Sequence, residues 1–209
     1  MLAKLTDLNR TLNLVFGPRY RVADRVLPVS IAMTDIERSA SALHLIDAMP
    51  LGSAIILRHP ERGMLAKMAE AAVPLARSRR CRVLIAGDAR LALAYGADGV
   101  HVPEALLKRE LTVRSMRLRP SWIITAAAHN PAALRRAERA GVDGVLLSPV
   151  MPTRSHPDRA PLGVHRFRAM CASVDTAVYG LGGLTLKNLI RLKGSGAVGV
   201  AGIGLFLGK

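Results

Sequence analysis

Residues 140–163, AGVDGVLLSPVMPTRSHPDRAPLG, decide the fold. They hold a glycine turn, a short apolar run, and a polar loop punctuated by proline. Gly141-Val142-Asp143-Gly144 closes one element, residues 145–148 read as a strand, and the strand's carboxyl end empties into Pro149-Val150-Met151-Pro152-Thr153-Arg154-Ser155-His156. Such strand ends are where α/β proteins place their chemistry. The opening pentad recurs as Gly96-Ala97-Asp98-Gly99-Val100 and as Gly196-Ala197-Val198-Gly199-Val200. Its first glycine suits the left-handed cap of a helix, the middle residues turn the chain, and Gly-Val opens the next strand.

On both sides of this stretch, buried-type runs alternate with helical patterns. Strands are expected at 29–33, 54–57, 83–85, 99–102, 122–127, 145–147, 177–181 and 198–203, and helices at 36–49, 63–77, 89–95, 105–118, 131–140, 164–171 and 185–192. Units of this length favour parallel strands joined by crossover helices. The fold class predicted is therefore α/β, a (β/α)8 TIM barrel. A doubly wound sheet is the competitor, but no GxGxxG follows the first strand. Apolar positions Leu5, Leu8, Leu12 and Val15 mark an extra N-terminal helix over 2–16 that Gly17-Pro18 stops. We expect a helical extension at 1–25 and a barrel at 26–209, whose final helix is truncated to Leu205-Phe206-Leu207. The extra helix would cover the missing helix's gap or the barrel floor; a partner subunit is the alternative, so a homo-oligomer stays open.

The chain of 209 residues, 50% hydrophobic, suits one domain with a substantial core. No apolar run is long enough for a membrane span, and Lys4, Asp7 and Arg10 interrupt any signal-peptide core, so a cytoplasmic protein is expected. Cys81 and Cys171 lack metal-ligand spacing and read as buried thiols. The formal charge of +15 favours anionic partners. Aromatics form only 3% of the chain and the basic residues are scattered over helix faces, which argues for steering of phosphorylated small molecules over nucleic-acid binding.

In such a barrel the residues just after each strand form the mouth. Arg58 ends the apolar run 54–57, where it could meet a carboxylate or phosphate. His129 follows the fifth strand and could give and take protons near neutral pH, or serve as a capping or core histidine. His101 lies inside a strand and reads as structural. Arg154 and His156 lie in the loop after the sixth strand, able to meet an anion or simply to be solvated. Gly182-Gly183 and Gly202-Ile203-Gly204 are expected to expose amides at the place where barrels commonly hold phosphate, the alternative being that they only make tight turns.

GADGVH (96–101), Ala128-His129, GVDGVLLSPVMPTRS (141–155) with Pro161-Leu162-Gly163, Gly180-Leu181-Gly182-Gly183-Leu184, and GAVGVAGIG (196–204) resemble, in this order, the thiamine phosphate synthase/TenI family. The resemblance spans roughly residues 26–206. It implies a barrel in thiamine biosynthesis that binds a thiazole phosphate at its strand ends. The family's synthase branch holds a magnesium pyrophosphate with an Asn-Asp pair after strand three and an Asp after strand four. Those places fall here on Ala86-Gly87 and Leu106, with Asp88 one position late and Glu104 two early. The Gln-x-Arg-x-Lys pattern reads Ile56-Leu57-Arg58-His59-Pro60, the strand-five serine is Ala127, and Thr-x-Thr-Lys reads Thr153-Arg154-Ser155-His156.

What remains resembles the TenI thiazole tautomerases, which have glycine at the metal-binding Asp and a histidine at the place of His129. On that resemblance the expected site has His129 as acid and base, Arg58, Thr153, Ser155 and His156 against substrate, and Gly182, Gly183, Ile203 and Gly204 against phosphate, with no metal. The alternatives are a divergent thiamine phosphate synthase that needs Mg2+, and a silent barrel that binds phosphate or nucleic acid for regulation.

Overall fold

The computed structural model describes residues 2–16, 20–22, 25–35, 41–153 and 159–207. Eight parallel strands close a barrel: β3 (Ser30–Met33), β4 (Ala54–Leu57), β5 (Arg82–Ala86), β6 (Gly99–Val102), β7 (Ile123–Ala128), β8 (Gly144–Leu147), β9 (Ala177–Leu181) and β10 (Gly199–Gly202), with β10 returning to pair with β3. Each strand alternates sides. Ile31 and Met33, Ala54 and Ile56, and Tyr179 fill the interior, whereas Ala32, Ile55, Leu57, Val100 and Val145 face the surrounding helices. The runs read as continuously apolar because both faces of each strand are buried.

The pentad owes its composition to the strand starts. The first glycines have left-handed φ values of 66° at Gly96, 72° at Gly141 and 84° at Gly196. In all three copies the third residue donates its N–H to a neighbouring strand: Asp98 to Val83, Asp143 to Ile124 and Val198 to Val178. In two copies the Asp carboxylate also accepts the neighbour's N–H, Val83 at 2.9 Å and Ile124 at 2.7 Å. The fourth residue has no room for a side chain. A Cβ on Gly144 would stand 2.9 Å from one edge of the Tyr179 ring, and a Cβ on Gly199 2.9 Å from the other edge and 2.2 Å from the Val29 carbonyl oxygen.

The floor is closed by an element that no sequence pattern marks. A two-stranded antiparallel ribbon, β1 (Arg21–Val22) and β2 (Arg25–Val26), leads into Leu27, which is buried in the interior cluster. Arg25 and Arg117 both pair with the buried Asp143, at 2.7 and 2.8 Å. The Arg82 guanidinium donates to the Val26 carbonyl. Helix α1 (Leu2–Phe16) instead joins the outer layer: Leu8, Leu12 and Val15 are buried there, and the helix packs on the turn at Leu189–Leu192.

The other helices are α2 (Ala42–Ala48), α3 (Arg62–Ser78), α4 (Ala89–Ala94), α5 (Glu110–Ser115), α6 (Pro131–Arg139), α7 (Gly163–Cys171) and the short α8 (Gly204–Leu207). Of the helix expected at 36–49, α2 is the observed part, with Ser41 and Met49 as its caps and residues 36–40 outside the described residues. Two further expected helices differ. Residues 105–118 split into a 3₁₀ turn, Glu104–Lys108, and α5, because Arg109 leaves helical geometry at φ −120° and ψ 77°. The expected helix at 185–192 shrinks to a 3₁₀ turn, Leu189–Leu192. There Asn188 accepts the Thr185 N–H at 2.8 Å and donates to the Gly183 carbonyl at 2.9 Å, so a side chain takes the bonds a helix would use.

The steric account of the pentad is testable by thermal unfolding. Gly199→Ala is expected to lose about 1–3 kcal/mol or more, because its new methyl meets backbone that cannot rotate away. Gly63→Ala in α3, where a Cβ has nothing within 4 Å, is expected to be neutral or to gain about 0.4–1 kcal/mol. Equal melting of the Gly199 variant and the parent would refute the account.

Candidate active site

At the carboxyl ends of the strands the interior opens into a cavity of 720 Å3. Arg58, His129, Thr153, Gly182 and Ile203 all reach its wall, together with Ala86, Ala127 and His101. Ser155 and His156 lie outside the described residues, as does Arg154. Gly183 and Gly204 are not part of the wall. At Gly183 the geometry gives a steric reason for glycine that needs no ligand, since a Cβ would stand 2.3 Å from the Pro152 carbonyl oxygen. The loops after β8 and β9 are joined there, by N–H groups of Val150 and Met151 donating to Leu181 and Gly182 carbonyls at 2.9 and 3.1 Å.

Arg58 follows β4 and is held along the rim. Its Nε donates to the Thr34 carbonyl at 2.7 Å, and its Nη2 stands 3.4 Å from an Asp35 carboxylate oxygen. Its backbone N–H donates to the Thr34 hydroxyl at 2.9 Å. The guanidinium remains half exposed at the mouth, placed for a carboxylate or phosphate.

His129 follows β7, on the strand next to β6, and its Nδ1 contacts a Glu104 carboxylate oxygen directly. Asn130 donates to the other Glu104 oxygen at 3.3 Å while its own side-chain oxygen caps α6 through the Ala133 N–H at 2.8 Å. Glu104 also lines the cavity. In the sequence, Glu104 reads only as a displaced metal ligand. Its partnership with His129 is encoded in topology: residues just past two adjacent strands become neighbours at the mouth.

His101, expected to be structural, does belong to the buried interior, but its ring also forms part of the cavity wall. Val100 and Val102 face outward, so alternation turns His101 inward beside Thr125, whose hydroxyl lies 2.9 Å from Nδ1. Burial, with a smaller contribution from the Arg58 charge, pushes its pKa down to about 3. The imidazole is therefore neutral at ordinary pH. Both cysteines are buried and free; burial raises Cys81 and pushes Cys171 up to about 12, which leaves both as unreactive thiols.

The described residues do not fit the magnesium pyrophosphate site that the resemblance implies for the synthase branch. The positions that the resemblance assigns to the metal carboxylates carry Ala86, Gly87 and Leu106. Asp88 is committed to α4 and α3 instead, capping α4 through the Leu91 N–H at 2.8 Å and pairing with Arg62 at 2.8 Å. Burial works against its charge, yet those partners outweigh it and hold the carboxyl below its ordinary value. Glu104 is engaged by His129 and Asn130. Among the described residues no three carboxylate, imidazole or thiol groups converge as metal ligands do.

A closed parallel barrel with a cavity at its strand ends defines a (β/α)8 protein with its site in the usual place for small phosphorylated ligands. The profile of the family described as thiamine monophosphate synthase matches residues 31–206, and the chain belongs to that family, the TMP-TENI group of thiamine biosynthesis. A putative thiamine-phosphate synthase 2 of Aquifex aeolicus (strain VF5) is 34% identical over 143 residues, 68% of this chain and 75% of the relative. The thiamine-phosphate synthase of Roseiflexus sp. (strain RS-1) is 30% identical over 195 residues, 92% of this chain and 79% of the relative. Among solved structures, the thiamine phosphate pyrophosphorylase from Pyrococcus furiosus superposes with a TM-score of 0.71 at 22% identity, covering 86% of this chain and 87% of that one, which supports the fold. No described helix is long and apolar enough to cross a membrane.

The buried His101 makes stability depend on pH in a defined direction. Its folded pKa, about 3, lies below the unfolded value of 6.5, so the unfolded chain binds a proton first as the solution is acidified. Stability is then full above the unfolded value and falls by up to about 1.4 kcal/mol per pH unit through the window below it. Denaturant titrations from pH 7 to 4 should show a shallower decline for His101→Gln than for the parent chain. Identical slopes would mean that His101 can protonate within the fold.

Proposed function

We propose that this chain is a metal-independent thiazole tautomerase of the TenI kind, acting on a thiazole carboxylate phosphate with His129 as the group that moves the proton. One observation carries the reading. A histidine held by a carboxylate lines the cavity at the position where that branch uses one, while the carboxylates nearest the family's metal positions are committed elsewhere.

The chemistry asked of the site is modest. One C–H bond breaks, its electrons move into the ring system, and a C–H bond forms elsewhere, so that the ring becomes aromatic with no change in composition. A base that returns the proton as an acid, and anchors that hold the anionic substrate near it, suffice. His129 serves as base and acid. Arg58 faces the substrate carboxylate or a neighbouring oxygen, Thr153 supplies a hydroxyl near the rim, and the ends of β9 and β10 receive the phosphate at Gly182 and Ile203, which reach the cavity wall. Ser155 and His156 complete this proposal from the loop after β8. The neutral His101 on the cavity wall adds a polar contact without adding a charge.

The names of the relatives favour a second reading, a thiamine-phosphate synthase that has kept its reaction with altered metal ligands. The two are separated by supplying the thiazole carboxylate phosphate tautomer, in one vessel with chelator, and in another the pyrimidine pyrophosphate and thiazole phosphate with Mg2+. Aromatisation seen by NMR in the presence of chelator, with no thiamine phosphate formed in the second vessel, is the expected result. His129→Ala should still bind thiazole phosphate in a calorimeter but turn over about 10²–10⁴-fold more slowly. Magnesium-dependent formation of thiamine phosphate, or normal turnover by His129→Ala, would overturn the proposal.

A further inference from the structure

We infer that Glu104 is a positioning residue that fixes His129 as its Nδ1–H tautomer and so presents an unprotonated Nε2 to the cavity. The kinetic consequence of this inference rests on the tautomerase reading; the tautomer itself does not.

The geometry begins with register. β6 and β7 pair in parallel through His101–Thr125 and Val102–Ala126, so the chain segments that leave them, Pro103-Glu104 and His129-Asn130, emerge side by side. Pro103 then initiates the 3₁₀ turn Glu104–Lys108, which puts Glu104 at its first position, facing the start of α6. Its two carboxylate oxygens have separate partners. Oε2 meets His129 Nδ1, and Oε1 accepts from Asn130 Nδ2 at 3.3 Å, with an Arg136 nitrogen 3.9 Å away. Asn130 cannot swing freely, because its side-chain oxygen is the N-cap of α6. The carboxylate is thus tied to the helix that follows His129, and both partners are about three-quarters buried, with side-chain exposures of 28% and 26%. This differs from a surface ion pair, whose long side chains sample many geometries.

A carboxylate only accepts hydrogen bonds, so the imidazole nitrogen that meets it must carry the hydrogen. In the neutral ring the lone pair then lies on Nε2, and the ring lines the cavity. A free imidazole can exchange its tautomers, and the wrong one would present N–H where a base is needed. Glu104 removes that choice before substrate arrives and stabilises the cation once Nε2 has taken a proton. Its contribution is therefore to orientation, with no contact to the reacting atoms required.

The test reads the tautomer directly, in the complete chain. Long-range 1H–15N correlation spectra of protein with 15N-labelled histidine, with the His129 signals assigned by their loss in His129→Gln, report which nitrogen is protonated in the neutral ring. The expected result is the Nδ1–H form in the parent. In Glu104→Gln, whose amide can donate or accept, the Nε2–H form is expected to appear. With the thiazole carboxylate phosphate as substrate, Glu104→Gln should lower kcat by about 10²-fold or more while KM changes little. A parent protein in the Nε2–H form would overturn the inference without any variant, as would an unchanged tautomer in a Glu104→Gln protein that melts like the parent. Should the parent show the Nδ1–H form yet fail to aromatise the substrate, the positioning role of Glu104 stands and the tautomerase reading falls.

Discussion

Tyr179 and the two glycines beside it set the shape of this barrel. The ring lies in the interior of β9 with Gly144 on β8 at one edge and Gly199 on β10 at the other, and its hydroxyl donates to the Pro28 carbonyl at 2.8 Å. A tyrosine fills so much of a narrow barrel that both neighbouring strands must start without a Cβ. The polar end of the ring, which would be costly to bury alone, is satisfied by the segment that carries the floor ribbon into β3. Asp143 extends the same floor by holding Arg25 and Arg117, so the ribbon is bound to the barrel by charge as well as by Leu27.

A filled floor leaves the opposite end to be built from smaller residues. Ala86, Ala127 and Gly182 stand where larger side chains would close the interior, and the space they leave is part of the cavity at the mouth. Polar groups enter this space by two routes. His101 comes from an inward position within its strand, beside Thr125, where burial keeps the imidazole neutral. Arg58, Glu104 and His129 come from residues just past strand ends, at the more exposed rim. The division between a buried wall and a polar rim follows from where each residue sits along its strand.

The barrel is legible in the sequence because its signals are local and repeated. Both faces of each strand are buried, so the apolar runs stand out, and the pentad marks three strand starts with a left-handed glycine in each copy. The floor ribbon stays hidden because two-residue strands such as Arg21–Val22 carry no period. The 3₁₀ turns pass for helices because their departure depends on single residues, Arg109 by backbone geometry and Asn188 by side-chain hydrogen bonds. At the site, each candidate side chain can be placed on its own strand end, but the Glu104–His129 contact lies between strands and no spacing within one segment reveals it. His101 is undervalued for a related reason: alternation tells that it points inward, but not how near the mouth it stands.

The Glu104–His129 contact also bears on the choice between proton chemistry and metal chemistry. A carboxylate at the mouth can hold a hard cation or hold an imidazole, and it cannot fully serve both, because the cation would compete for the oxygens that accept from His129 and Asn130. In this chain the second carboxylate of the neighbourhood, Asp88, is already drawn off by the start of α4 and by Arg62. Building a magnesium site from Asp88 and Glu104 would require freeing both carboxylates, with the loss of a helix cap and of the contact to His129. On the proposed reading the same commitments leave Glu104 to act on the histidine of the next strand, so that the site governs one proton in place of a pyrophosphate.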